Sequence, residues 1–259
     1  MFDDFGDDDD NEETIVRPQA CGVLAFHSGT EAAMFLQVER TTKSGFENVQ
    51  SILLAIDNFC SQRHWMMHVG PQKASIICNK VESLLKNVAN KFPHDPLLLV
   101  EIGSYCGYSC VMFSQHFLPL YPKQFKMICI EGDPACVEWT RRLVKWCGLQ
   151  AHVEVIESVV TKDLVGHFIP QYGEKVDVLF IDHDKARYAA DIISLEQQGA
   201  VRTNTIVVAD NILSFGKPLD DYLNHVRDPT VYSHSKLYES YVEYSNDTSA
   251  DGVEISVKL

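Results

Sequence analysis

The chain has 259 residues, of which 46% are hydrophobic, and its formal net charge at neutral pH is −14. Eight of its acids lie within residues 1–13 (MFDDFGDDDDNEE), a stretch without any base that is typical of a solvated, disordered tail. This acidity would repel phosphate and therefore argues against nucleic-acid binding. No apolar run reaches the roughly eighteen residues that cross a bilayer, so we expect no membrane span.

The chain contains eight cysteines, and none of them forms a Cys-x-x-Cys pair. Cys129 (KMICIEG) and Cys147 (VKWCGL) lie inside apolar patterns, which indicates buried reduced thiols rather than disulfides. The acidic start also lacks the basic residues of a secretory signal. Together these features predict a protein of a reducing compartment, the cytoplasm, and we expect a monomer.

The first third of the chain is predicted to be helical. Residues 21–38 (CGVLAFHSGTEAAMFLQV) are fairly apolar, and we interpret them as a surface helix or ordering segment. Residues 48–62 and 73–90 have the spacing of amphipathic helices. Between them, RHWMMHVGPQ (63–72) is predicted to form a loop with a turn at its proline.

Short apolar runs follow, as expected for buried parallel strands. They are 96–103, 125–134, 152–158, 175–184 and 203–211. Helical segments lie between several of them, which predicts an α/β fold with a mostly parallel sheet and helices on both faces. Two β-rich runs at the end of the chain, 231–245 and 251–259, are predicted to add an antiparallel hairpin to one edge. We therefore divide the chain into an acidic, flexible extension at 1–45 and one folded domain at 46–259.

Two glycines, Gly103 and Gly107, follow the first predicted strand in VEIGSYCGYSC. Ligands of open parallel sheets bind at the carboxyl ends of the strands, where glycine lets them approach the backbone. The G-x-x-x-G spacing differs from the dinucleotide fingerprint and Tyr105 crowds the loop, which favours a ligand without phosphate. Glu131 ends the second strand, where an acid can accept hydrogen bonds from ribose hydroxyls. Gly103 alone is equally well a turn glycine, but the combination favours an adenosine-bearing cofactor.

Polar residues also end the fourth and fifth predicted strands, Asp182 in KVDVLFIDHD and Asp210 with Asn211 in TNTIVVADN. If these strands are parallel neighbours, two carboxylates and one amide oxygen meet at the same rim. Such hard oxygen donors suit Mg²⁺ better than Zn²⁺. Either aspartate alone is more simply a helix cap. The set, together with Lys185 three residues after Asp182, favours a metal site.

Several segments of the chain resemble the catechol O-methyltransferases. They are RHWMMHVGPQK, VEIGSYCGYS, IDHDKARY, VVADNIL and SYVEYS, and the resemblance covers roughly residues 46–259. It implies a Rossmann-like class I methyltransferase fold with a seven-stranded sheet. It also implies S-adenosylmethionine and Mg²⁺ as cofactors, and methyl transfer to a hydroxyl of a catechol, such as a catecholamine.

The resemblance further implies roles for individual residues. Lys185 is the expected general base, because a nearby cation favours the neutral form of a lysine, and Glu243 would hydrogen-bond the second catechol hydroxyl. The implied metal ligands are Asp182, Asp210 and Asn211. The implied cofactor contacts are Val69, Glu101, Gly103, Tyr105, Ser109, Glu131, Asp182 and His183. The implied substrate contacts are Trp65, Met67, Lys185, Asn211 and Glu243. Each role has an ordinary structural alternative. Lys185 could be a surface lysine, Glu243 an exposed strand residue and His183 a turn histidine. Trp65 and Met67 could simply pack their loop.

The sequence departs from the family at three places. Asp184 stands where the family has a tryptophan that covers the adenine, so we expect weaker packing of the cofactor. Phe215 stands where the family often has a proline beside the catechol slot, and Val160 and Thr161 replace polar cofactor contacts. Since the chemical groups themselves are present, we expect activity with altered cofactor affinity and substrate preference.

Two further hypotheses stay open. The enzyme could accept another vicinal-diol phenol, or the chain could be a non-catalytic interaction protein that keeps the methyltransferase fold. A nicotinamide-dependent oxidoreductase is disfavoured because the pyrophosphate glycines are missing.

Overall fold

A seven-stranded mixed β-sheet forms the centre of the part of the chain that the computed structural model describes, residues 29–92, 95–158, 176–214, 219–245 and 249–259. The strands are β1 (Leu97–Ile102), β2 (Phe125–Glu131), β3 (Val153–Glu157), β4 (Val178–Ile181), β5 (Ile206–Ala209), β6 (Tyr232–Tyr241) and β7 (Ala250–Lys258). Their order across the sheet is β3-β2-β1-β4-β5-β7-β6. The first five strands are parallel, whereas β7 is antiparallel to both β5 and β6. The predicted parallel sheet with a terminal hairpin is confirmed.

Helices cover both faces of this sheet, as predicted. They are α1 (Thr30–Thr41), α2 (Val49–Gln62), α3 (Gly70–Asn87), α4 (Tyr108–Phe117), α5 (Pro134–Trp146), α6 (Tyr188–Gln197) and α7 (Asp220–Val226), with 3₁₀ turns at Phe46–Asn48 and Lys185–Arg187. Within the described residues, α1 to α5 contribute to the larger core and α6 and α7 to the smaller core on the other face. Helix α3 begins three residues before its predicted start, because Pro71 is compatible with the first turn of a helix. None of the helices that the structure describes combines the length and apolarity that crossing a membrane requires.

The central strands are buried on both faces, which explains their largely apolar sequences. All six residues of β1 are buried, including one acid, Glu101. Leu97 and Leu99 belong to the larger core, whereas Leu98 and Val100 belong to the smaller one. Side chains alternate along a strand, so a strand covered on both sides favours apolar residues on both of its faces.

Helix α1 packs against the domain although it lies within the predicted extension. Met34 and Phe35 are fully or almost fully buried, and the ring of Phe35 stacks on Trp139 with centroids 5.0 Å apart. Glu39 accepts two hydrogen bonds from the Arg142 guanidinium, at 2.8 and 2.7 Å. The boundary at residue 46 stays a prediction, and the acidic residues 1–13 lie outside the described residues.

The register of the strands sets which residues meet at the carboxyl rim. Ile102 of β1 pairs with Ile181 of β4, and Ile181 pairs in turn with Ala209 of β5. The residues that follow these three positions are Gly103, Asp182 and Asp210, so they emerge side by side. The predicted convergence of the strand ends therefore follows from the pairing of the strands.

Candidate active site

A cavity of about 620 Å³ opens at this rim. Of the residues predicted to contact cofactor, metal or substrate, all except Glu101 line it. They are Trp65, Met67, Val69, Gly103, Tyr105, Ser109, Glu131, Asp182, His183, Lys185, Asp210, Asn211 and Glu243. Residues 100 positions or more apart in the chain are thus brought to one cavity by the parallel topology.

The loop after β1 forms one wall of the cavity and requires glycine. Gly103 has a φ of +88°, and a Cβ there would lie 2.6 Å from the backbone oxygen of Asp182. Gly107 has a φ of +83° and precedes the first turn of α4. Because both positions are left-handed, the loop can turn sharply and leave its backbone open to a ligand. Such a cradle fits the adenosyl cofactor that the sequence predicts.

Glu131 is held at the cavity wall by backbone amides. Its Oε2 accepts hydrogen bonds from the N–H groups of Ser104 and Tyr105, at 3.0 and 2.9 Å, and its Oε1 accepts from Asp133 at 3.0 Å. A carboxylate has about four lone-pair positions, so one remains for a ligand hydroxyl. The side chain is therefore oriented before any ligand binds.

Glu101 lies behind the wall, fully buried, and its Oε1 accepts a hydrogen bond from the Ser109 hydroxyl. A ligand contact would therefore run through Ser109 or the backbone of Glu101. Burial raises the pKa of the Glu101 carboxyl to about 8, although the hydrogen bond from Ser109 opposes this shift. The folded chain thus favours the protonated form of this acid.

This buried acid predicts a pH dependence of stability. An acid whose pKa is raised on folding binds its proton more tightly in the folded state, so stability should fall as the pH rises from its ordinary value of 4.5 to about 8. Urea unfolding of the cofactor-free protein should show this decline, with a slope of up to about 1.4 kcal/mol per pH unit. In Glu101→Gln the decline should be much smaller. The exposed Glu239→Gln should keep the wild-type slope, and an equally steep slope in Glu101→Gln would contradict the prediction.

At the end of β4, Lys185 contacts the first predicted metal ligand. Its Nζ donates to Oδ1 of Asp182 at 2.9 Å and to the backbone oxygen of His183 at 3.3 Å. His183 in turn lies 2.8 Å (Nε2 to Oδ2) from Asp191 and stacks on Tyr188 with centroids 5.3 Å apart. The short turn after β4 therefore directs Asp182 and Lys185 into the same space.

A buried lysine, Lys73, lies beneath the predicted metal ligands and is not among the predicted site residues. Lys73 donates through Nζ to both carboxylate oxygens of Asp210, at 2.8 and 3.0 Å, and to Oδ2 of Asp251 at 2.9 Å. Its burial alone would lower the pKa of Lys73. The charges of Asp210 and Asp251 and their hydrogen bonds outweigh burial and raise the pKa of Lys73 above its usual range. Lys73 is therefore a permanently charged member of the site.

The donor set of this end suits a hard divalent cation. Carboxylates outnumber lysines among the described residues at this end, which include Asp182, Asp210, Asp251, Glu243, Lys73 and Lys185. The predicted ligands Asp182, Asp210 and Asn211 offer oxygen atoms. Oxygen donors and an excess of carboxylates fit Mg²⁺.

Glu243 is fixed by the start of α3. Its Oε1 accepts from the backbone N–H of Lys73 at 2.9 Å, and its own backbone oxygen accepts from Nε1 of Trp65 at 2.9 Å. A Cβ at Gly70 would lie 2.4 Å from Cγ of Glu243, so glycine makes room for this side chain. Burial raises the pKa of the Glu243 carboxyl, while the backbone hydrogen bond from Lys73 opposes the shift.

Comparison with known proteins identifies the family. Residues 100–212 match a family model described as a methyltransferase domain. The chain is 33% identical to Catechol O-methyltransferase B of Danio rerio over 211 residues, 81% of this chain and 72% of that protein. It is 34% identical to Catechol O-methyltransferase of Bos taurus over 206 residues, 79% of this chain and 68% of that protein. The chain belongs to the catechol O-methyltransferase family.

Solved structures of more distant proteins share the fold of this catechol O-methyltransferase family member. The Bacillus cereus O-methyltransferase in complex with SAH has a TM-score of 0.59 at 16% identity, over 82% of this chain and 90% of that one. The Streptomyces achromogenes O-methyltransferase TomG in complex with SAM has a TM-score of 0.60 at 12% identity, over 88% and 96%. At these identities the likeness concerns the fold, and it confirms the predicted class I methyltransferase architecture.

The departures from the catechol O-methyltransferase pattern lie partly within the described residues. Asp184 lines the cavity, and its Oδ1 accepts from the backbone N–H of Ala186 at 3.2 Å, so it caps the 3₁₀ turn that carries Lys185. The predicted effects of Phe215, Val160 and Thr161 concern positions outside the described residues.

Two charged residues of the site, Lys73 and Asp251, are not among the predicted residues, although the sequence contains a signal for each of them. Lys73 lies four residues before Ile77 and eight before Val81, so it belongs to the apolar stripe of α3. Asp251 shares a strand face with Val253 and Ile255, which are buried in the larger core. A charge at an apolar position of a helix or strand indicates an inward-facing side chain, but which partner it meets depends on how α3 and β7 pack.

Proposed function

We propose that this protein transfers the methyl group of S-adenosylmethionine to one hydroxyl of a catechol, with Mg²⁺ bound at the ends of β4 and β5. The observation that carries the proposal is that Asp182, Asp210, Asn211, Lys185 and Glu243 all line one cavity. Family membership supports the reaction class, and the oxygen-rich donor set supports the choice of metal. A catecholamine such as dopamine is the acceptor that we favour.

The proposed roles of the acceptor-side residues follow from their positions. Asp182, Asp210 and Asn211 would hold Mg²⁺, which when bound lowers the pKa of a ligated hydroxyl. Lys185, 2.9 Å from Asp182, would take that proton as a neutral amine, having lost its own proton to solvent when a cation binds beside it. Glu243 would accept a hydrogen bond from the neighbouring hydroxyl. The resulting oxygen forms a bond to the methyl carbon as the carbon–sulfur bond breaks, so the sulfonium becomes a thioether. No covalent bond to the protein forms, and positioning supplies the rate.

The proposed donor side lies at the ends of β1 and β2. Glu131, preoriented by three backbone amides, would accept a hydrogen bond from a ribose hydroxyl through its remaining lone-pair position. Gly103, Tyr105 and Ser109 would border the methionine part and His183 the adenine. Val69, at the start of α3, lines the cavity between the donor and acceptor sides. The overall positive charge of the methyl donor suits a cavity that is rich in carboxylates.

We also assign the protein to a reducing compartment, the cytoplasm. Among the described residues, seven cysteines are free thiols, and all of them are buried. Thiols of this kind contribute to apolar packing and need no oxidising environment.

The decisive experiment measures methyl transfer from labelled S-adenosylmethionine to catechol by the full chain, with and without Mg²⁺. Methylated product is expected with Mg²⁺, EDTA should stop turnover, and added Mg²⁺ should restore it. Phenol, which has one hydroxyl, is the matched control and should not be methylated. Turnover that persists in EDTA would exclude the proposed metal chemistry.

Two further measurements separate the alternatives. A panel that includes dopamine and caffeic acid distinguishes a catecholamine enzyme from one that prefers another vicinal-diol phenol. Calorimetry with S-adenosylmethionine tests the non-catalytic hypothesis, which predicts no binding at millimolar ligand. Binding followed by turnover would exclude that hypothesis.

A further inference from the structure

We propose that Lys73 and Asp251 are positioning residues that make Asp210 and Asn211 offer one oxygen each to the cation, and thereby select Mg²⁺ over Ca²⁺. This inference rests on the proposed function, since it assigns a control of the same metal end. Neither residue is itself a metal ligand, because Lys73 is a cation and Asp251 lies behind Asn211.

The hydrogen bonds of Asp210 leave little of its carboxylate free. Oδ1 accepts from Nζ of Lys73 at 2.8 Å and from the backbone N–H of Asn211 at 2.7 Å, which uses both of its lone-pair positions. Oδ2 accepts from Lys73 at 3.0 Å and keeps one lone-pair position. Asp210 is therefore prepared to bind a cation through Oδ2 alone.

Asp251 fixes the orientation of the Asn211 amide. Its Oδ2 lies 2.9 Å from Nδ2 of Asn211, and its Oδ1 accepts from the Ser214 hydroxyl at 2.9 Å. An ionised carboxylate only accepts hydrogen bonds, so the amide group that faces Asp251 must be the NH₂. The amide oxygen of Asn211 is therefore directed away from Asp251 and is available to a cation.

Lys73 holds the side chain of Asp251 in place. The same Oδ2 atom that accepts from Asn211 also accepts from Nζ of Lys73 at 2.9 Å. The side chains of Lys73 and Asp251 are 2% and 0% exposed, so neither can exchange its partner for water. Asn211 has a left-handed backbone with a φ of +56°, and its hydrogen bonds to Asp210 and Asp251 hold it there.

One oxygen per ligand has a consequence for the choice of metal. Ca²⁺ takes six to eight oxygens and often binds a carboxylate through both of its oxygens, whereas Mg²⁺ demands an octahedron and usually keeps several waters. Since Lys73 occupies the second oxygen of Asp210, the site disfavours the bidentate arrangement. The buried ammonium group of Lys73 thus determines which metal the site prefers, although it does not bind the metal itself.

The experiment uses Mn²⁺ as an EPR-visible probe, titrated into the full chain without catechol, followed by competition with Mg²⁺ and with Ca²⁺. Asp251→Leu should weaken Mn²⁺ binding by about 10- to 100-fold, because no acceptor then orients the NH₂ of Asn211. The double variant Lys73→Met/Asp251→Leu removes one charge of each sign. It should reduce the preference for Mg²⁺ over Ca²⁺ at least about tenfold, since Oδ1 of Asp210 then keeps only the hydrogen bond from the Asn211 N–H and regains one lone-pair position.

Glu254→Gln is the matched control. Glu254 is a fully buried carboxylate on the same strand β7, paired with Arg227 at 2.8 Å, and its hydrogen bonds lead away from the cavity. The Glu254→Gln variant should bind Mn²⁺ with the affinity of the wild type. For every variant, the affinity for S-adenosylmethionine and the melting temperature should confirm that the protein is folded.

The outcomes separate this inference from the proposed function. Wild-type Mn²⁺ affinity in folded Asp251→Leu, or an unchanged Mg²⁺ preference in the double variant, would overturn the role of Lys73 and Asp251 and leave the proposed reaction intact. A wild-type chain that binds no Mn²⁺ would overturn both.

Discussion

Replacing Lys185 by methionine is expected to lower kcat by about 10²- to 10⁴-fold, the usual contribution of a general base. The Nζ atom of Lys185 lies 2.9 Å from Asp182, and the side chain borders the cavity where the hydroxyl would bind. Without it, the proton of that hydroxyl must leave to solvent. Steady-state kinetics with catechol, together with calorimetric binding of S-adenosylmethionine, measures the effect. The affinity for the methyl donor should stay within about threefold, because the lysine serves the acceptor.

Lys185→Arg distinguishes proton transfer from simple charge. An arginine keeps a cation beside Asp182 but does not release a proton in a protein. It should therefore be about as slow as Lys185→Met if the lysine acts as a base. Lys236→Met, at an exposed position of β6, is the control and should turn over at the wild-type rate. Wild-type kcat in Lys185→Arg would show that Lys185 contributes charge alone.

The second large effect is on stability. Lys73→Met should lower the free energy of unfolding by about 3–5 kcal/mol, because it leaves two buried carboxylates without their cation. Asp210 and Asp251 each lie within 3.0 Å of Nζ and are themselves buried. For a domain of this size the loss corresponds to a fall in melting temperature of roughly 10 °C. Urea unfolding monitored by circular dichroism provides the free energy directly.

Helix α3 supplies a matched control for this prediction. Lys86 forms an ion pair with Glu82 four residues earlier on the same helix, but its side chain is 49% exposed. An exposed pair contributes about 0–1 kcal/mol, so Lys86→Met should be nearly neutral. Equal effects of Lys73→Met and Lys86→Met would contradict the view that burial makes the first pair indispensable.

The fold could be predicted because its strongest signals are local. Strands β1 and β4 are short and buried, β4 is wholly apolar and β1 is apolar except for Glu101, and a glycine or an aspartate follows each of them. Such runs between helical segments predict a parallel sheet, and parallel order brings their carboxyl ends to one rim. The convergence of Asp182 and Asp210 follows from that rule alone.

Other parts could not be predicted because they depend on long-range contacts. A surface helix or ordering segment is expected within residues 21–38, but the packing of the weakly amphipathic α1 on the domain depends on contacts such as the stacking of Phe35 on Trp139, about 100 residues later. Lys73 and Asp251 are separated by 178 residues, and neither explains the other until the terminal hairpin is placed beside α3. Amphipathic patterns ordinarily place charges in water, so an isolated charge on the apolar face is easily overlooked.

The antiparallel hairpin separates the proposed acceptor contacts from the proposed donor contacts, which bears on how such enzymes diversify. The methyl donor would bind at the parallel strands β1, β2 and β4, whereas Glu243 follows β6, which in the described residues joins the rest of the sheet through β7 and its pairing with β5. Substitutions near Glu243 would alter contacts with the phenolic acceptor and leave the contacts with the sulfonium donor in place. Related enzymes can therefore diverge in the acceptor that they methylate while they keep the same alkylating reagent.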